Sequence, residues 1–307
     1  MKYAAGFIIL FMLVLWSSCQ NDFEVEEFDG SLEFSKDTVF LDTVFSNLST
    51  STYTLKVYNR SGEDIFIPEI GLEKGQNSMY RLNVDGLAGK TFQNIELLAR
   101  DSLYIFIETT VAPEAEAPKE FLYLDKIQFR SKSHLQEIPL VTLVKDAILL
   151  YPARDAKGFP EQIPVGQDEN GKEKTVSGFF LKEEQLRLTS KKPYVIYGYA
   201  AVPYGKILRI EAGARLFFHT DSGIIVSEDA SLQVEGAASK DTLKLENEVI
   251  FQGDRLEGLY ENLAGQWGGI WLRKGSKDHL FEHATIRNSG IGILLQGDPE
   301  NLTGKGP

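Results

Sequence analysis

The sequence predicts an all-β chain, a β-sandwich followed by a short right-handed parallel β-helix. Three observations carry that expectation. Short alternating or apolar runs separated by turn residues fill residues 31–150, no stretch sustains a helical period, and strings beyond Pro193 recur at a solenoid spacing. The 307 residues are 43% hydrophobic and 25% charged, the composition of a packed chain rather than a disordered one. Thirty-two Lys and Arg against 44 Asp and Glu give a net charge of −12, whose field repels a phosphate backbone, so nucleic acid is not an expected partner. The single cysteine, Cys19, rules out an intrachain disulfide or a multi-cysteine metal site, and no metal or cofactor is expected.

The chain opens with Lys2 and the apolar run Ala4 to Trp16. At about 1.5 Å per residue this run reaches roughly 20 Å, too short for a hydrocarbon core of about 30 Å. It reads as the core of a signal peptide over residues 1–18. Ser17-Ser18-Cys19 resembles a lipobox, with Trp16 in place of the usual leucine, as in the looser lipoboxes of Bacteroidetes. The resemblance implies lipid attachment at Cys19. Residues 19–30 hold Asp22, Glu24, Glu26, Glu27 and Asp29 and no base, the composition of a solvated acidic tether. In Bacteroidetes lipoproteins such a stretch resembles the export signal to the cell surface, so the expected location is the outer membrane, anchored by lipid and facing outward.

Within residues 31–150 the candidate strands are Leu32 to Phe34, Thr38 to Phe45, Tyr53 to Asn59, Asp64 to Ile70, Tyr80 to Val84, Asn94 to Leu98, Ser102 to Val111, Phe121 to Phe129 and Ile138 to Leu150. In Tyr53 to Tyr58 and Tyr104 to Thr109, alternate positions go to opposite faces. Seven or more such strands in about 120 residues fit a sandwich. Ala112 to Pro118 reads as an exposed loop. The strings Asp42-Thr43-Val44-Phe45, Leu55 to Arg60, Tyr80 to Gly86 and Ala99 to Tyr104 resemble the immunoglobulin-like, Hydin-type domains of Bacteroidetes surface lipoproteins. That resemblance implies a spacer or adhesion module with no catalytic residues. Asp37-Thr38-Val39, Asp42-Thr43-Val44, Asp101-Ser102-Leu103 and Asp241-Thr242-Leu243 resemble the O-glycan acceptor triplets of the same bacteria.

Residues 151–192 mix Pro, Gly and charge and read as a linker, with a hairpin turn at Asn170-Gly171 and a solvated connector from Lys182 to Lys192. Asp168-Glu169-Asn170-Gly171 is not a calcium loop, because the twelfth position, which needs Glu, holds Phe179.

Residues 193–297 carry the repeat. Leu208 to Gly213 recurs 24 residues later as Leu232 to Gly236, and Gly223-Ile224-Ile225-Val226 recurs at Gly269 and at Gly292. These strings parse into about three coils of three strands: Leu208–Ile210, Leu216–Phe218 and Gly223–Val226; then Leu232–Val234, Val249–Phe251 and Gly269–Leu272; then Leu280–Glu282, Thr285–Ile286 and Gly292–Leu295. Ala237 to Asn247 and Asp254 to Gln266 are insertions. Each coil buries its inward aliphatics only by stacking on its neighbours. Pro193 to Tyr199, Val249 to Arg255 and Gly265 to Leu272 resemble the pectate-lyase-like β-helix half of those same lipoproteins, a family with no settled activity. Residues 298–307 read as a disordered tail without a capping element, so a longer parent with further coils is the expectation.

Candidate ligand contacts are Trp267 and Tyr260, aromatics beside the longer insertion that would stack on sugar rings, and Arg273 and Lys274, local positive charge on the last coils. Trp271 is better suited to packing. His279 and His283 lie roughly 13 Å apart on an extended strand, too far for one metal. No Ser–His–Asp, paired-carboxylate or phosphate-loop pattern emerges, and Gly304-Lys305-Gly306 lacks the loop before it. The favoured function is therefore a lipid-anchored, non-enzymatic surface scaffold binding a polysaccharide or a surface protein. A polysaccharide lyase or hydrolase with its groove on the β-helix is the alternative, and a purely structural envelope protein the third.

Overall fold

The computed structural model describes residues 26–28, 30–112 and 118–297. Among them there is no α-helix, and none of the short 3-10 turns is long or apolar enough to cross a membrane. The chain is all-β and contains several parallel sheets. The signal peptide, Cys19, residues 113–117 of the loop expected from Ala112 to Pro118, and the 298–307 tail lie outside the described residues. The described residues form two compact units, one from those within 1–39, 52–108 and 124–140, the other from those within 40–51, 109–123 and 141–307.

Eleven strands come first: β1 (Glu26–Glu27), β2 (Glu33–Phe34), β3 (Val39–Phe45), β4 (Tyr53–Tyr58), β5 (Ile65–Leu72), β6 (Tyr80–Val84), β7 (Leu87–Gly89), β8 (Thr91–Leu97), β9 (Ser102–Thr109), β10 (Glu120–Arg130) and β11 (Leu135–Lys145). They make one sheet in the order β1-β5-β10-β11-β3, with β8 also on β5, and a second in the order β2-β4-β9-β6-β7. Alternation decides which side chains are buried. Leu55 and Val57 on β4 and Ile105 and Ile107 on β9 are inaccessible, while Tyr104 and Phe106, alternating with the latter two, are exposed and stack on each other. Asn59, just past β4, is buried and satisfied on both sides of its amide. Its Nδ2 donates to the carbonyls of Glu63, Leu97 and Leu98, and its Oδ1 accepts from the Ser61 N–H.

The acidic tether expected through residue 30 ends earlier. Glu26 and Glu27 pair in parallel with Ile65 and Phe66 of β5, and Lys132 Nζ lies 2.7 Å from Glu27 Oε2. An acidic composition does not prevent ladder hydrogen bonding when a sheet edge and a cation are at hand.

Fifteen strands follow: β12 (Ile148–Leu150), β13 (Gln162–Gln167), β14 (Glu173–Phe180), β15 (Arg187–Leu188), β16 (Tyr194–Ile196), β17 (Tyr199–Val202), β18 (Ile207–Glu211), β19 (Arg215–Phe218), β20 (Gly223–Val226), β21 (Ser231–Glu235), β22 (Val249–Gly253), β23 (Gly269–Leu272), β24 (Leu280–Glu282), β25 (Ala284–Ile286) and β26 (Ile293–Leu295). From β15 onward the chain visits three sheets in rotation. The sheets run β15-β18-β21-β24, β12-β16-β19-β22-β25 and β13-β14-β17-β20-β23-β26. Every pairing but the β13–β14 hairpin is parallel. The repeat read from the sequence is this register: Leu208 opposes Leu232, Gly223 opposes Gly269, and Ile270 opposes Ile293.

Inward rows from the three sheets, among them Leu208, Leu232, Leu216, Phe251, Ile224 and Ile270, form one continuous core. Each fully buried side chain of this kind contributes about 1.5–3 kcal/mol relative to exposure. Gly269 shows why the recurring string begins with glycine. Its φ is 151°, and a Cβ there would lie 1.8 Å from the Ile291 carbonyl oxygen.

Residues 151–192 are not a linker. Leu150, Phe179, Leu181, Leu186 and Leu188 are buried in the same core, and β14 and β15 begin the parallel pairing of two of the three sheets. Their apolar residues are too few and too interrupted by charge to show a period, yet Phe179, Leu181, Leu186 and Leu188 join the core. Leu150 belongs with them as well, since Ile148–Leu150 pairs in parallel with Tyr194–Ile196. The hairpin at Asn170-Gly171 forms, with Gly171 alone at positive φ (78°) and the Asp168 N–H donating to the Lys172 carbonyl at 2.8 Å.

Candidate functional site

The sheet β12-β16-β19-β22-β25 continues its ladder one residue past its strands. The N–H groups of Tyr197, His219 and Asp254 donate to the carbonyls of Leu150, Ile196 and Phe218 at 2.9, 3.0 and 3.0 Å. Tyr151, Tyr197, His219 and Asp254 therefore occupy equivalent positions on four successive coils, spaced about 4.8 Å per rung. Two neighbouring clefts share Tyr197, His219 and Leu48. One, about 280 Å³, adds Asp42, Asp254, Arg255 and Glu257. The other, about 400 Å³, adds Tyr151, Arg154 and Asp221. All these residues belong to the second unit.

His219 is held from two sides. Its ring stacks on Tyr197 with centroids 4.4 Å apart, and its Nδ1 lies 2.8 Å from Asp254 Oδ2. That hydrogen bond, reinforced by the Asp254 charge, lifts the imidazole above its ordinary pKa against the opposing effect of partial burial. Burial, then the Asp254 charge, pushes the Tyr197 hydroxyl up to about 12, so it stays a neutral donor. Burial likewise raises the Asp42 carboxyl, and the Glu257 charge adds to it while Arg255 opposes. For Glu257 burial acts upward but is outweighed by the Arg255 guanidinium, whose Nη2 lies 2.9 Å from Oε1. Arg255 is positioned in turn over the Tyr260 ring, 4.1 Å from its centroid.

The arrangement offers flat ring faces beside a row of hydrogen-bond acceptors. Sugar hydroxyls donate to carboxylates, and the axial C–H face of a sugar lies on aromatic rings. An outward row on stacked coils suits an extended, repeating ligand.

The four contact residues expected from the sequence are not brought together. Trp267 is 2% exposed, stacked at 4.2 Å on Phe218, with its Nε1 donating to the Arg287 carbonyl at 2.9 Å. It is core, not platform, because the strand entry before Gly269 turns it inward. Tyr260, at the end of the 3-10 turn Gly258–Tyr260, is half-buried beneath Arg255 and so acts on the site through that guanidinium. Arg273 Nη1 donates to the Pro164 carbonyl at 3.1 Å, tying down the β13 hairpin. Arg273 and Lys274 do meet, on a separate cleft of about 450 Å³ with Tyr204 and Glu228. Trp271 packs under the hairpin with Ile163, Ala201 and Ile225. His279 accepts from the Leu232 N–H through Nδ1 and has Nε2 3.0 Å from Ser276 Oγ, so both ring nitrogens face the fold.

Asp42, Tyr151, Tyr197, His219 and Asp254 were not among the contacts expected from the sequence. A signal was present: aligning the coils puts Tyr197, His219 and Asp254 each in the first position after a strand.

No protein-family model matches the sequence, and a comparison with curated proteins gives no match. Solved structures give weak likenesses. One is a family 123 glycoside hydrolase acting on glycolipid glycans from Clostridium perfringens, at 6% identity and TM-score 0.27 over 39% of this chain and 30% of that one. Another is a protein of unknown function from Porphyromonas gingivalis, at 12% identity and TM-score 0.26 over 40% and 55%. A third is the major pilin subunit of Bacillus cereus, at 14% identity and TM-score 0.26 over 47% and 52%. The match spans less than two thirds of each of these chains, and likenesses of this strength carry no argument about function.

Proposed function

We propose that this chain is a lipid-anchored, outward-facing scaffold of the outer membrane, with an immunoglobulin-like β-sandwich ahead of a right-handed parallel β-helix, and that it binds a polysaccharide. The observation that carries the binding reading is the row Tyr151, Tyr197, His219 and Asp254, four rungs of one sheet edge lined by Asp42 and Glu257. Ser17-Ser18-Cys19 behind an apolar core supports the anchor, and the three-sheet rotation of parallel strands supports the β-helix. Affinity electrophoresis of the full chain against a panel of polysaccharides tests the reading. Retarded migration that falls about tenfold in affinity for Tyr151→Ala is the expected result, a loss equivalent to about 1.4 kcal/mol. Uniform migration across the panel would remove the proposal.

A lyase or hydrolase remains a second reading because His219 is paired with Asp254 beside a carboxyl, Asp42, whose pKa burial raises. New reducing ends, or absorbance from an unsaturated uronide, would favour catalysis. Binding without product favours the scaffold.

A further inference from the structure

A further cleft in the same unit, about 370 Å³, is lined by six cations, Lys119, Lys145, Lys192, Arg215, Lys244 and Arg287. Glu120 is the single carboxylate in that lining, in a chain of net charge −12. Three of the cations are paired: Lys145 with Glu120 at 3.0 Å, Lys192 with Asp146 at 2.5 Å and Lys244 with Asp241 at 3.7 Å. The other three bond only to neutral oxygens among the described residues. Lys119 Nζ donates to the Ser190 carbonyl at 3.1 Å. Arg215 donates to the carbonyls of Glu248 and Leu245 at 2.6 and 2.7 Å. Arg287 Nε donates to Gln252 Oε1 at 2.6 Å.

Positive charges gathered in this way repel one another. Arg215, half-buried, has its pKa lowered by burial and then by the charge of Arg287, against the opposing charges of Glu248 and Glu246. Backbone carbonyls hold its guanidinium in place, while the charges of Glu248 and Glu246 act on it from outside the cleft lining. An anion in the cleft would offset the repulsion and gain charge-assisted hydrogen bonds from preset donors. The cleft also has a path to the groove already described. An intermediate cleft of about 260 Å³ shares Lys145 and Arg287 with it, and shares Thr43, Arg255 and Glu257 with the His219 side.

We propose that the Lys119–Arg215–Arg287 cleft is an anion subsite that takes the carboxylate or sulfate groups of an acidic polysaccharide, an inference that rests on the glycan-binding reading. Neutral hydroxyls meet the Tyr197 and His219 side, and acid groups meet the cations.

The test uses the full chain and matched polymers: polygalacturonate against its methyl-esterified form, and a sulfated galactan against its desulfated form. At low salt at least one acidic member binds about tenfold or more tighter than its neutral counterpart, and that margin shrinks as salt rises. Whichever pair shows the margin identifies carboxylate or sulfate. The exposed double variant K119Q/R287Q, and K119Q alone should the double variant melt early, brings the ratio toward one with neutral binding retained. Equal binding of both members of both pairs, or a margin unchanged in the variants or by salt, overturns the subsite and leaves the glycan reading standing. Failure of all four polymers to bind overturns both.

Discussion

His219 Nδ1 and Asp254 Oδ2 lie 2.8 Å apart across two neighbouring coils, joining the exits of β19 and β22. The pair is stronger when the imidazole is charged, which is why the His219 pKa is raised. A raised pKa in the folded state means a contribution fully present below the ordinary value of about 6.5 and lost as pH rises through the folded value above it. His219→Gln should therefore cost stability at pH 5.5 and little at pH 8.5. With almost half of the His219 side chain accessible, the difference stays below about 1 kcal/mol. Urea melts of both proteins at the two pH values check this, and an equal cost at both would count against it.

Trp267→Ala should destabilise the second unit by about 3–5 kcal/mol, because the ring fills the space beside Phe218 and its loss also orphans the Arg287 carbonyl. Differential scanning calorimetry reads the effect. Glycan affinity measured at a temperature where the variant is still folded should be unchanged, the reverse of what a sugar platform would give.

Leu186→Ala and Leu188→Ala should each cost about 2–5 kcal/mol, since both side chains are buried in the common core. Lys191→Ala, exposed on the same stretch, should stay within about 0.5 kcal/mol. Three equal, small effects in denaturant titrations would return residues 182–192 to the status of a connector.

Gly269→Ala should lower stability by more than about 1 kcal/mol, because alanine both strains at φ 151° and meets the Ile291 carbonyl. Gly258→Ala is the matched control, with open space around it. Thermal melts that shift equally would contradict the close approach.

The coils between Leu208 and Leu295 were legible because a parallel ladder repeats its side chains in register, so Gly223 and Gly269 stand in line in the chain as they do in the sheet. The place of β12, β14 and β15 in the same sheets was not, because one or two inward residues in strands of two to eight residues make no period, and that place is set by neighbours that come later. Trp267 misled because an aromatic beside an insertion has the same composition whether it faces sugar or Phe218. The groove residues escaped for a related reason: Asp42 and Glu257 are 215 positions apart, and only folding puts them on one wall. What the chain did carry was the coil alignment, in which Tyr197, His219 and Asp254 follow their strands at one shared position.

The most direct measurement follows the His219 ring by NMR while an oligosaccharide that the full chain retains is added. Saturable movement of the His219 signals, with His279 still, is the predicted result. Binding that leaves His219 unmoved, or that moves both rings alike, would contradict a ligand seated on the Tyr151–Asp254 row.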